Sequence, residues 1–123
     1  MRILVVDDIP LIRRIIKRML REHEVVECGS GAEALDVLGE DDQFDVILSD
    51  MNMGGMDGAS FYTNLELRQP LLCSRVVFVS GGGATSVQAQ FLRTTSRPVV
   101  SKPIDVQDLN IAIDMIGAGV SYV

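Results

Sequence analysis

Five residues that could do chemistry each follow a short apolar run. Asp7 and Asp8 come after Ile3-Leu4-Val5-Val6, Asp50 after Val46-Ile47-Leu48, Ser80 after the run ending at Val79, and Lys102 after Val99-Val100. Singly, each has an ordinary explanation: an Asp-Asp pair as a solvated turn or helix cap, Asp50 as a turn residue, Ser80 as a turn hydroxyl before glycines, Lys102-Pro103 as a solvated lysine before a helix. Jointly they form a sign pattern of three carboxylates, a hydroxyl and an ammonium. Three anions cannot share a dry pocket unpaired, so either some are protonated or a cation is present. A hard divalent ion with oxygen ligands, Mg²⁺ above all, suits carboxylates plus waters. The formal charges of three carboxylates, one divalent cation and one ammonium then cancel. In such a setting an Asp carboxylate can attack phosphorus in line, with the cation and the lysine neutralising the equatorial oxygens.

That chemistry requires the five to converge. Short β-branched runs recur at Ile3 to Val6, His23 to Cys28, Val46 to Leu48, Arg75 to Val79 and Val99-Val100, with helix-length stretches between them. Strands alternating with helices predict a parallel sheet whose strands read as continuous apolar runs, because both faces are covered. The expected fold is α/β, a doubly wound, flavodoxin-like parallel sheet of five strands in order 2-1-3-4-5, flanked by five helices. In that order strands 1 and 3 are neighbours at the switch point, which brings Asp7, Asp8 and Asp50 into one crevice at the sheet's carboxyl edge. Pro10 suits the first turn of a first helix, with Ile12, Ile15, Ile16, Met19 and Leu20 as its inward stripe. Ser30-x-x-Glu33 is a capping box for the second helix, with Ala34, Leu35 and Leu38 inward. A third is expected over Ala59 to Leu67 and a fourth over Ala84 to Thr94. Asp105 and Asp108 open the fifth, with Val106, Leu109, Ile113 and Ile116 inward.

Composition narrows the function further. The chain has 123 residues, 47% of them hydrophobic, which fits one domain over residues 1–123. A chain of this size folds to roughly 6,500 Å² of surface and needs no disulfide or structural metal. Cys28 and Cys73 sit beside apolar runs, as small buried thiols do, and a reduced, cytoplasmic protein is expected. The formal charge of −6 repels phosphate backbones and anionic lipid, so neither direct nucleic-acid binding nor a membrane surface is expected. The first apolar stretch is too short for a signal-peptide core or a membrane span.

The ordered set Ile3-Leu4-Val5-Val6-Asp7-Asp8, Ile47-Leu48-Ser49-Asp50-Met51-Asn52-Met53 with Met56-Asp57-Gly58, Val77-Phe78-Val79-Ser80-Gly81 and Ser101-Lys102-Pro103 resembles the receiver domains of two-component response regulators, the CheY-like superfamily. The resemblance covers essentially the whole chain. It implies that Asp50 is the phosphoacceptor, that Asp7, Asp8, Asp50 and the backbone carbonyl of Asn52 hold Mg²⁺, and that Ser80 and Lys102 bind the phosphoryl group. It also implies a histidine kinase or histidine phosphotransfer protein as the partner bringing phosphohistidine. Phosphorylation would then draw Ser80 and the Gly81-Gly82-Gly83 loop toward the new charge. Three features depart from the common family pattern or narrow it. Val99 stands where an aromatic reporter is usual, Gly54 stands where proline is frequent, and Arg97 to Asp105 resembles receivers attached to hybrid sensor kinases.

Other classes fit less well. A haloacid-dehalogenase-type phosphatase needs D-x-D after the first strand, whereas Asp50-Met51-Asn52 lacks the second Asp and no cap domain fits. A flavin site would want hydroxyls and free amides where this chain places carboxylates. A receiver-like module that only binds partners, without phosphorylation, is the remaining alternative. Arg13, Arg14, Lys17, Arg18 and Arg21 are expected on the outer face of the first helix, either as a solvated face or as a docking surface for an acidic phosphodonor. His23 has no ligand cluster at metal spacing, and Met51, Met53 and Met56 are expected to pack the loop. The sequence assigns no oligomeric state.

Overall fold

The computed structural model describes residues 1–81 and 86–118. Strands β1 (Arg2–Val6), β2 (Glu24–Cys28), β3 (Val46–Asp50), β4 (Val76–Ser80) and β5 (Val99–Ser101) alternate with helices α1 (Pro10–Met19), α2 (Gly31–Glu40), α3 (Gly58–Arg68), α4 (Ser86–Thr94) and α5 (Val106–Gly117). All strand pairings are parallel, in the order β2-β1-β3-β4-β5, as the alternation predicts. The accessible surface is 6630 Å², close to the size expected for a chain of this length.

Every residue of β3 is buried, which is the mark of a central parallel strand covered on both faces. Leu4, Val6, Ile47 and Phe78 point to one side, against Leu35 and Leu38 of α2 and Phe61 and Leu65 of α3. Ile3, Val5, Leu48 and Val79 point to the other, against Ile16 and Leu20 at α1 and Leu109 and Ile113 of α5. The sheet thus separates two apolar layers, and the polar residues can only gather along its edges.

Local signals explain the helix starts. Ser30 caps α2 by accepting the Glu33 N–H at 3.1 Å, and the Glu33 carboxylate reaches back to the Gly29 N–H at 3.0 Å, one residue earlier than a standard capping box. Asp105 caps α5 through the Gln107 N–H at 2.7 Å. Several expectations need correction. The α1 stripe is narrower than predicted: Ile16 and Leu20 are buried, Ile12 and Met19 only partly, and Ile15 is 41% exposed, because one helix lying on a sheet covers a thinner strip than its apolar residues span. Val106 begins α5 before that helix reaches the sheet and is exposed, while Ala112 takes an inward position. His23 lies in the turn before β2 rather than in the strand. α4 begins at Ser86, and the expected start at Ala84 falls outside the described residues, as do Gly82 and Gly83. A 3-10 turn over Pro70–Arg75, absent from the sequence reading, leads into β4.

Candidate phosphoacceptor site

The carboxyl edge of the sheet gathers the expected residues. Asp7 follows β1, its own N–H bonded to the Cys28 carbonyl at 3.1 Å, so β2 fixes where the chain leaves the sheet. Its side chain is 1% exposed; Oδ1 accepts the Ile9 N–H at 2.9 Å, and Oδ2 is buried without a partner. Asp8 is exposed, and its Oδ2 accepts the Gly54 N–H at 3.1 Å from the loop beyond β3. Asp50 closes β3 and is 2% exposed. Its Oδ1 lies 3.1 Å from Lys102 Nζ, while Oδ2 is buried and unpartnered. One oxygen from each of Asp7, Asp8 and Asp50 lies within 4.8 Å of the others.

These contacts test the fit of a hard divalent cation. Buried carboxylate oxygens are ordinarily hydrogen-bonded, because desolvating an unpaired anion is costly. Here two such oxygens, on two carboxylates of one cluster, are left without a donor. Burial pushes the Asp7 carboxyl above its ordinary value, the Ile9 N–H pulls it back, and the neighbouring Asp50 charge adds to the rise. An all-oxygen set with orphaned anionic atoms fits Mg²⁺ in the manner of hard-cation sites.

Lys102 arrives from β5. Its backbone N–H bonds the Ser80 carbonyl at 2.7 Å, so the ends of β4 and β5 meet beside Asp50, which pairs in register with Val79. Ser80 is half-buried at the end of β4. The Lys102 stem runs past Gly81, where an added Cβ would lie 3.2 Å from Lys102 Cδ. The Lys102–Pro103 peptide is cis. Asn52 opens the loop over the cluster, with its N–H 3.4 Å from Asp50 Oδ1. That loop returns through Gly58, whose N–H bonds the Met51 carbonyl at 2.9 Å; a Cβ there would sit 2.7 Å from the Asp50 carbonyl oxygen, so only glycine fits the return. Met51 and Met53 are buried and Met56 packs on Gly31, so this group fills the loop as expected.

Three parts of the site were missed from sequence. Arg13 does not face outward with the other basic residues of α1; it is half-buried and turns toward the β1–α1 loop, leaving Arg14, Lys17, Arg18 and Arg21 exposed. The Gly54 N–H on Asp8 bridges residues far apart in sequence, which no local pattern reports. Asp57 caps α3 through the Ser60 N–H at 2.8 Å and accepts a second hydrogen bond from the buried Gln88 of α4 at 3.1 Å. Burial raises the Asp57 carboxyl, yet these N–H bonds outweigh it and hold it below the usual range. The Asp57-x-x-Ser60 spacing was the available signal for that cap.

Residues expected to stand apart do so. His23 meets the N-terminal amine through Nδ1 at 3.1 Å, and among the described residues the one trio able to hold a metal is Asp7, Asp8 and Asp50. Both cysteines are free and buried, and burial pushes the Cys28 thiol up to about 11. Val99 packs among partly buried residues beside the core, while Tyr62, Phe78 and Phe91 form an edge-to-face cluster with centroids 5.6, 5.9 and 5.3 Å apart.

A family model described as the response regulator receiver domain matches residues 3–114. The chain is 35% identical over 112 residues to two-component response regulator ORR26 of Oryza sativa subsp. japonica, covering 89% of this chain and 19% of that protein. It is 36% identical over 116 residues to two-component response regulator ARR11 of Arabidopsis thaliana, covering 90% and 21%. It spans about a fifth of the length of these curated relatives. Against chemotaxis protein CheY-3 of Vibrio cholerae serotype O1 it is 29% identical over 119 residues, covering 94% of this chain and 91% of that one. Among solved structures, a response regulator receiver domain protein from Clostridium thermocellum superposes with a TM-score of 0.81 at 28% identity, covering 94% and 92%. With the sheet order, the acid cluster and the family match in agreement, the chain belongs to the receiver domains of two-component response regulators, CheY-like regulatory domains whose standard role is to accept a phosphoryl group.

Proposed function

We propose that Asp50 is the phosphoacceptor, that Asp7, Asp8, Asp50 and the Asn52 carbonyl hold Mg²⁺, and that Ser80 and Lys102 bind the phosphoryl oxygens. The donor is a phosphohistidine on a histidine kinase or histidine phosphotransfer protein. Residues 1–123 act as one receiver domain in the cytoplasm, and the domain turns over nothing but its own phosphorylation. No helix among the described residues is long and apolar enough to cross a membrane. The observation that carries the reading is the state of Asp50: one oxygen held by Lys102, the other buried, unpartnered and among carboxylates.

An Asp50 oxygen attacks phosphorus while the P–N bond to the donor imidazole breaks and its electron pair returns to the ring nitrogen; a donor ring protonated at its other nitrogen then leaves as neutral histidine, giving an acyl phosphate. Bound Mg²⁺ supplies charge neutralisation on the phosphoryl oxygens. Lys102, already 3.1 Å from Asp50, orients the carboxylate and then pairs with a phosphoryl oxygen. The Ser80 hydroxyl, one residue beyond the position in register with Asp50, donates a hydrogen bond to another. The buried β3 end excludes bulk water from the nucleophile.

The first test is acyl-phosphate formation from acetyl phosphate with Mg²⁺. Wild type should incorporate acid-stable, base-labile phosphate and Asp50→Asn none; no incorporation in folded wild type would favour the partner-only module. The exposed Arg14, Lys17, Arg18 and Arg21 support docking of an acidic phosphodonor on α1. Reversing charge at Arg14 and Lys17 together should slow transfer from a kinase at least tenfold and leave acetyl-phosphate labelling within twofold; equal slowing of both would discard the docking surface.

A further inference from the structure

Asp8 and Asp7 stand on a loop that leaves a strand and must be aimed. The Asp7–Asp8 peptide has its orientation set by where the Asp7 carbonyl points, and that carbonyl is bonded by Arg13 Nη1 at 2.7 Å. Arg13 lies one turn into α1, and its side chain is 18% exposed. Its Nε is 3.3 Å from Glu27 Oε1 of β2, so a single guanidinium joins helix, strand and loop. A planar fork presents donors to two acceptors in a fixed geometry, which the single point of an ammonium does not reproduce. Glu27 in turn lies 3.9 Å from Lys17, which has no bond to the loop. Gly29 passes close by; an added Cβ would lie 3.5 Å from Arg13 Nη1, an ordinary van der Waals contact.

Asp7 is therefore held at three points, beside the Gly54 N–H that holds the Asp8 carboxylate. The Asp7 N–H goes to Cys28, its Oδ1 to the Ile9 N–H, and its carbonyl to Arg13. The first is backbone to backbone and the second is Asp7's own carboxylate on a backbone N–H, and any side chain at position 13 would leave both in place. The third depends on Arg13 alone, and it acts on the peptide that carries Asp8.

We propose that Arg13, braced by Glu27, is a positioning residue that fixes the Asp7–Asp8 peptide so that both carboxylates meet a divalent cation. This rests on the Mg²⁺ reading of the acid cluster. Contacts that orient metal ligands without touching the metal commonly account for about 10–100-fold in affinity.

The test is Mg²⁺ affinity by titration calorimetry, beside thermal unfolding in EDTA and the backbone amide NMR shift of Asp8 without metal. Arg13→Ala should weaken Mg²⁺ binding about tenfold, the lower end of that range, and move the Asp8 amide resonance while the protein still unfolds cooperatively. Lys17→Ala shares Glu27 but not the loop, and should bind Mg²⁺ as wild type does. Arg13→Lys should recover only part of the loss, since one ammonium nitrogen lacks the fixed spacing with which Nε and Nη1 reach the two acceptors. If Arg13→Ala does not fold, Arg13→Gln keeps much of the stem and an N–H donor, and should still lose affinity severalfold. Affinity within twofold of wild type in the folded Arg13 variants overturns the inference. Failure of folded wild type to bind Mg²⁺ at all overturns the metal reading and this inference together.

Discussion

The two edges of the sheet treat their polar groups in opposite ways. At the amino edge, Arg97 is 7% exposed, and its guanidinium donates to the carbonyls of Val76 at 3.1 Å and Ser74 at 2.6 Å. Arg75 donates to the Phe44 carbonyl at 2.9 Å, and Arg2 bonds the Gln43 carbonyl at 3.1 Å while lying 4.2 Å over the Phe44 ring. These carbonyls lie at the start of β4 or on the segments that lead into β3 and β4, and the arginines supply their donors. At the carboxyl edge, Asp7 and Asp50 each keep one buried oxygen without a donor. The carbonyls named at one edge are met by the protein's own side chains; at the other, two buried carboxylate oxygens are not. Burial by itself therefore does not mark a working residue, whereas burial with an orphaned acceptor does.

Removing charge should have opposite signs at the two edges. Arg97→Met strips the donors from two carbonyls and should destabilise by about 2 kcal/mol, read by urea unfolding; a neutral result would break the contrast. Asp7→Asn should do the reverse in EDTA, stabilising the metal-free protein by about 1 kcal/mol by removing a buried like charge, while abolishing Mg²⁺ binding. The pH dependence follows the same carboxyl. Asp7 is raised above its ordinary 3.8 when folded, so the folded state holds the proton more tightly. That contribution is complete below the unfolded value and is lost as pH rises through the folded one. Metal-free stability should thus fall with rising pH above 3.8, and Asp7→Asn should flatten that slope. Smallest in effect, Ser30→Ala removes an acceptor at the carboxyl edge that is already satisfied; it should cost about 0.5–1 kcal/mol and leave Mg²⁺ affinity unchanged.

What could be read from sequence was what repeats or stands next to something. The runs of β1, β3 and β4 were legible because buried parallel strands are near-continuously apolar, and Asp7, Asp8, Asp50, Ser80 and Lys102 were legible because each lies within two residues of the end of an apolar run. Arg13 was misjudged because helical spacing gives the side of a helix but not the loop a long side chain will reach. Gln88 on Asp57 and Gly54 on Asp8 join distant segments and leave no trace in local pattern. The exposure of Ile15 and Val106 depends on how much of each helix the sheet covers, a tertiary quantity.

The packing of Gly58 on the Asp50–Met51 backbone gives residues 52–57 the form of a noose drawn shut at its neck. The chain departs from Asp50 and comes back to it at one spot. The rim of that noose, from Asn52 to Gly55, can therefore change shape while the knot beneath keeps the proposed acceptor at the same address.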